Sequence, residues 1–106
     1  ISAAQLAQAE VELDSGDARK ALQLALQAKE DFGRMGQMDS EWRAWLIAAR
    51  ASQQLGNKSA TREYAGNANA RLASLENRWG KEVYYGYLWR KDIQYSRKQL
   101  EQLLNP

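Results

Sequence analysis

"LAQAEVELDSGDARKALQLALQAKEDF", residues 6–32, and "LIAARASQQLGNKSATREYAGNANARL", residues 46–72, are the same pattern read twice, forty positions apart. Leu6, Ala9, Gly16, Ala25 and Ala28 recur as Leu46, Ala49, Gly56, Ala65 and Ala68, and Ala4 just upstream recurs as Ala44. Asp17 becomes Asn57 and Phe32 becomes Leu72, so chemical character is kept even where identity is not. Within the first copy, Ala18, Ala21, Leu22, Leu24, Ala25, Ala28 and Phe32 share one side of a helix at 100° per residue. Gly16 breaks that periodicity, and Asp17 follows it with a side chain suited to capping a helix start. The unit is therefore helix, glycine turn, helix. Small residues recur where two helices must approach closely. A single such hairpin cannot bury its apolar face alone, so successive hairpins are expected to stack.

Outward from this core, composition agrees. The only proline is residue 106, and β-branched residues number six in 106, which favours helix and leaves little material for strands. About six helices are expected. The first covers residues 2–14, with Leu6, Ala9 and Leu13 buried, and the second follows Asp17. The third covers residues 40–55, capped by Ser40 and ended by Gly56-Asn57. The fourth runs to about residue 78, with a stripe of Tyr64, Ala65, Ala68, Leu72, Leu75 and Trp79. A helix over 81–91 and a last one over 93–104, capped by Asp92, complete the chain. Met35 and Met38 are expected to cover the open end of the first hairpin. These elements form one domain: repeat one over 2–38, repeat two over 40–78, and a capping helix pair over 80–104. Without an initiating Met, and ending at Asn105-Pro106, the sequence reads as a piece of a longer chain.

With its turn and small-residue positions in place, the sequence resembles the tetratricopeptide repeat family. Ala9, Gly16, Asp17, Ala21 and Ala28 stand at that family's small and turn positions. In the second copy Trp45, Ala49, Gly56 and Ala68 match, Thr61 stands where Ala is usual, and Tyr64-Ala65 take the place of the bulky residue. The resemblance covers residues 2 to about 75. It departs from the family in a period of 40 rather than about 34 residues and in having no closing Pro, as longer helices would require. What it implies is an all-α, right-handed superhelical solenoid of paired antiparallel helices used as a scaffold for protein–protein contact.

The chemistry available excludes several functions. There is no Cys and no His, which removes disulfides, thiolate nucleophiles, the usual zinc ligands and the commonest general base. Glu10, Glu12 and Asp14 lie two apart and scatter around a helix, and no phosphate loop or nucleophile elbow is present. The expectation is a non-catalytic domain with no cofactor and no metal site. No apolar run approaches the roughly 20 residues of a membrane span. Neither a secretion signal nor any cysteine is present, and the cytoplasm is the expected location.

Charge and aromatic residues locate the candidate contact surface. Residues 1–56 carry six Lys/Arg against eight Asp/Glu, whereas residues 57–106 carry nine against five. Within the basic half, "WGKEVYYGYLWRKD" (79–92) holds five of the chain's ten aromatic residues, interleaved with Lys81, Arg90 and Lys91. On a helix Val83, Tyr84, Tyr85, Tyr87, Leu88 and Trp89 spread over about 240°. A surface helix needs only a little over 100° of apolar arc. Burial on two sides accounts for most of the excess. The remainder is Tyr85 and Trp89, one turn apart and flanked by Arg90, all three residue types enriched at interface hot spots. Trp42 lies one turn before the core edge of the third helix (Trp45, Ala48, Ala49 and Ser52); burial between neighbouring helices is its first reading and partner contact its second. Tyr85, Trp89, Arg90 and Trp42 are thus the candidate partner-binding residues. The partner expected is a protein or peptide, or a second copy in a homo-oligomer. The weaker alternative is nucleic acid, bound by base stacking on the aromatics and phosphate contacts to the cations. It has only a modest excess of charge behind it and no recognisable motif.

Overall fold

The computed structural model describes residues 2–105. Six helices follow one another, with no strand among the described residues: α1 (Ser2–Asp14), α2 (Ala18–Met35), α3 (Met38–Gln54), α4 (Lys58–Trp79), α5 (Lys81–Leu88) and α6 (Lys91–Leu104).

The forty-residue echo is also an echo of hydrogen bonds. After α1, the N–H of Asp17 donates to Glu12 O (2.8 Å) and that of Gly16 to Leu13 O (3.2 Å). After α3, Asn57 donates to Ser52 O (3.0 Å) and Gly56 to Gln53 O (3.1 Å). Gly16 and Gly56 both take the left-handed conformation that this way of closing a helix requires, at φ +94° and +78°. The next helix then starts on the following side chain. Asp17 accepts from the N–H of Lys20, and Asn57 from that of Ala60. Gly36 closes α2 in the same way, with Gln37 N donating to Phe32 O at 2.9 Å.

Helix α3 holds the molecule together. One of its faces (Ala44, Ile47, Ala48, Ala51) packs on α1 and α2 with Leu6, Ala9, Leu13, Ala21, Ala25, Ala28 and Phe32. The opposite face (Trp42, Leu46, Ala49) packs with Leu72 and Leu75 of α4, Tyr84 and Leu88 of α5, and Ile93, Leu100 and Leu103 of α6. The repeated alanines lie at these contacts, where they let helix axes approach closely. Ala4 and Ala44 show the effect of position in the stack. Ala44 is fully buried, while its counterpart Ala4, on the terminal helix α1, is exposed.

Several local expectations require correction. Helix α3 begins at Met38, with Gln37 in the cap position, so Ser40 lies inside the first turn and does not cap it. The bonds from Ser40 N and Glu41 N to Gln37 O set that start, directly after the Gly36 turn. Helix α5 stops at Leu88, where Trp89 N bonds to Tyr85 O and Gly86 O in a closing turn. Helix α6 starts at Lys91, so Asp92 belongs to its first turn and Arg90 holds the cap position. Of the two methionines, Met38 packs against the second core while Met35 stays exposed.

Candidate functional site

The wide apolar arc of α5 divides into three rows with different partners. Tyr84 and Leu88 are buried among α4 and α6. Tyr87 is half-buried and reaches across to α3, where its hydroxyl accepts a 2.9 Å hydrogen bond from Trp42 Nε1. That hydroxyl in turn donates to Asp39 O at 3.4 Å. The Tyr87 ring meets Trp79 edge-on, with centroids 5.0 Å apart, and carries the Arg90 guanidinium over it at 5.6 Å. Burial pushes the Tyr87 hydroxyl above its ordinary pKa of 10.0, against the Trp42 hydrogen bond, which favours the phenolate. Burial raises Tyr84 too, and the nearby Arg97 charge opposes it.

The third row is exposed. Tyr85 keeps 51% of its surface in solvent, Trp89 77%, and Val83 also faces outward. Tyr85 meets Tyr84 edge-on at 5.5 Å, which holds its ring on the buried row. Trp89 sits in the turn between α5 and α6, where the backbone of Leu88 and Trp89 closes one helix before Arg90 opens the next.

The four candidates therefore separate. Tyr85 and Trp89 stand together at the surface. Arg90 lies beside them but is engaged within the chain, its Nε and Nη2 donating to Asp92 Oδ1 and Oδ2 at 3.2 and 2.8 Å. That fork lowers the pKa of the Asp92 carboxyl and raises that of the guanidinium. Trp42 is withdrawn from the candidate surface altogether. It has 0% exposure, and its indole N–H is held by Tyr87, because α5 and α6 cover the face of α3 on which it lies. It is a core residue.

Tyr85 and Trp89 form one side of a groove of about 530 Å³. Leu88 lies within it, and Gln94, Arg97, Lys98 and Glu101 of α6 line the other side. These four were legible only as the polar side of α6. Their spacing of i, i+3, i+4 and i+7 already put them on one helix face, but the sequence does not say which face turns towards the aromatics.

A second hollow, about 470 Å³, lies between α2 and α4 above Trp45. It is furnished by the chain itself: the Lys29 ammonium sits 4.7 Å above the Trp45 ring, and Tyr64 lies against it with centroids 5.6 Å apart. Beneath, the carboxylate of Glu41 accepts from Trp45 Nε1 (3.2 Å) and from Arg71 Nε (2.9 Å). The indole N–H and the ring face are both occupied, as expected of a packing residue at a helix junction.

Among the described residues no three acidic side chains gather as a metal ion would require, and no helix is long and apolar enough to cross a membrane. No protein-family model, curated protein or solved structure matches this chain.

Proposed function

We propose that this chain is a non-catalytic protein–protein interaction module, a tetratricopeptide-like right-handed solenoid that meets a protein or peptide at the aromatic edge of its C-terminal helix pair. The carrying observation is the pair Tyr85 and Trp89, exposed side by side at the rim of a groove. Leaving a tryptophan three-quarters in water forgoes roughly 2 kcal/mol of burial, which a partner would recover. The forty-residue repetition of turns and caps supports the solenoid reading, and the absence of cysteine from this sequence suits a cytoplasmic setting. A second copy of the chain would be one such partner.

Two measurements test the reading. Acrylamide should quench a readily accessible tryptophan component in the intact protein, and that component should vanish in Trp89→Phe with little change in stability. A partner captured from the source cell should be lost with Trp89→Ala and Tyr85→Ala, and retained with Val11→Ala on α1. Capture that ignores all three substitutions would move the contact surface elsewhere.

A further inference from the structure

We infer that the groove between the end of α5 and helix α6 takes an acidic peptide segment with an apolar anchor, a step that rests on reading Tyr85 and Trp89 as a contact surface. The two sides of the groove differ in chemistry. On one, Tyr85 and Trp89 offer aromatic faces with Leu88 between them; on the other, Arg97 and Lys98 bring two adjacent cations. Among the described residues neither cation has an acidic partner within 4 Å, unlike Arg90, whose charge Asp92 already meets. Arg97 is half-buried, and a partly desolvated guanidinium gains most from a carboxylate that it can grip with two N–H groups. An aliphatic or aromatic side chain seated on Trp89 would shield that contact from water and strengthen it.

Arg97 also divides two hollows. On its α4 side lies a smaller one of about 100 Å³, lined by Tyr84, Leu100 and Leu104, with Arg97 and Glu101 common to both. A segment crossing α6 therefore meets an apolar recess, a guanidinium and a second apolar recess in succession. Alternating apolar and acidic side chains match that order.

The same geometry disfavours a phosphate backbone. Nucleic acid needs a run of cations along its path, with each phosphate contact adding to affinity. Here the groove offers only Arg97 and Lys98, and the carboxylate of Glu101 stands beside them in its lining, so the track of cations is short and interrupted. For a peptide Glu101 is useful, since its carboxylate can accept from a backbone N–H of the bound segment.

The test is selection of a displayed library of random peptides on the full chain, followed by fluorescence polarisation of the enriched peptides. Peptides combining Asp or Glu with Leu, Phe or Trp should be enriched. Their affinity should fall at least about tenfold in Trp89→Ala and in the double variant Arg97→Glu/Lys98→Glu. Lys98→Glu alone, at an exposed position, should weaken binding in the same direction and guards against a folding defect at half-buried Arg97. Val11→Ala should leave it unchanged. Neutral or basic peptides lost in Trp89→Ala would overturn the acidic specificity while sparing the contact surface. Peptides indifferent to all of these variants, or no enrichment, would overturn both. A labelled oligothymidylate bound more tightly than any peptide, with steep salt dependence, would transfer the groove to nucleic acid.

Discussion

At the scale of single residues, the hydroxyl of Tyr87 carries more than its position suggests. It is the acceptor for the N–H of fully buried Trp42, and so the polar link between α5 and α3. In Tyr87→Phe the ring contacts with Trp79 survive, but a buried indole N–H loses its acceptor. A loss of about 1–3 kcal/mol is expected in urea unfolding, against a few tenths for Tyr95→Phe, where the ring is largely in solvent. The same group sets a pH response. With its folded pKa raised above 10.0, Tyr87 stays protonated in the native state while the unfolded chain ionises. The native state then binds more protons, so stability is level below about pH 10 and falls as pH rises from there. Urea midpoints measured up the alkaline range should fall less steeply in Tyr87→Phe than in the parent, and the remaining slope belongs in part to Tyr84. Ser52 is the opposite case, a buried hydroxyl with no hydrogen-bond partner in the protein. Ser52→Ala keeps the packing and removes the uncompensated group, and is expected to raise stability by about 1 kcal/mol. A decrease on thermal unfolding would show that the hydroxyl is satisfied in solution.

Two glycines separate backbone strain from side-chain crowding at the scale of elements. A Cβ at Gly56 would meet nothing within 4 Å, yet its φ of +78° is costly for an L residue. Gly56→Ala should therefore lose about 1–2 kcal/mol through conformation alone. Gly66, in the interior of α4 and equally uncrowded, has ordinary helical geometry, and Gly66→Ala should gain up to about 1 kcal/mol. Helicity changes of opposite sign by circular dichroism near the melting midpoint, the larger one being the loss in Gly56→Ala, would report the contrast. These turns were legible because their chemistry is local: a glycine followed by Asp17 or Asn57 specifies both the end of one helix and the start of the next. The division of α5 was not. Val83, Tyr84, Tyr85, Tyr87 and Trp89 are all apolar enough to be core. Which of them become core depends on the direction in which α6 returns, and that is set by contacts with α3 and α4 rather than by the residues themselves. Trp42 settled as core, the first of its two readings, for the same reason: the helices that cover it lie about forty to sixty residues further along the chain. Ser40 and Asp92 failed as caps because a cap-competent side chain specifies a helix start only if the preceding turn delivers the chain there. The Gly36 turn delivers it at Gln37 and the Trp89 turn at Arg90.

At the scale of the whole molecule, the two cores on either side of α3 differ in kind, and this makes the two ends unequal. The core shared with α1 and α2 is built mostly of alanines, to which α1 adds Leu6, Ala9 and Leu13. The other contains Trp42 and most of the large side chains, and α5 and α6 close it with Tyr84, Leu88, Ile93, Leu100 and Leu103. Each large side chain returned to water forgoes about 1.5–3 kcal/mol, and a domain of this size has only about 5–15 kcal/mol in total. Deleting residues 81–106 removes five such side chains and also uncovers Trp42, Leu72 and Leu75, whose burial needs the missing helices. Deleting residues 1–17 removes two leucines and uncovers a face of small residues. Each truncation also saves the ordering cost of the residues removed, 26 at the C-terminus against 17 at the N-terminus, so the decisive difference is what is left uncovered: Trp42, Leu72 and Leu75 in one case, mostly alanines in the other. The chain lacking α1 is therefore expected to keep a cooperative melt at lower temperature and a near-ultraviolet dichroism signal from a fixed Trp42. The chain lacking α5 and α6 should lose both, retaining helical far-ultraviolet dichroism at most. If instead the two truncations melt alike, α3 does not divide the molecule energetically. The aromatic edge at Tyr85 and Trp89 would then be a dispensable appendage to the fold rather than the outer side of its principal core.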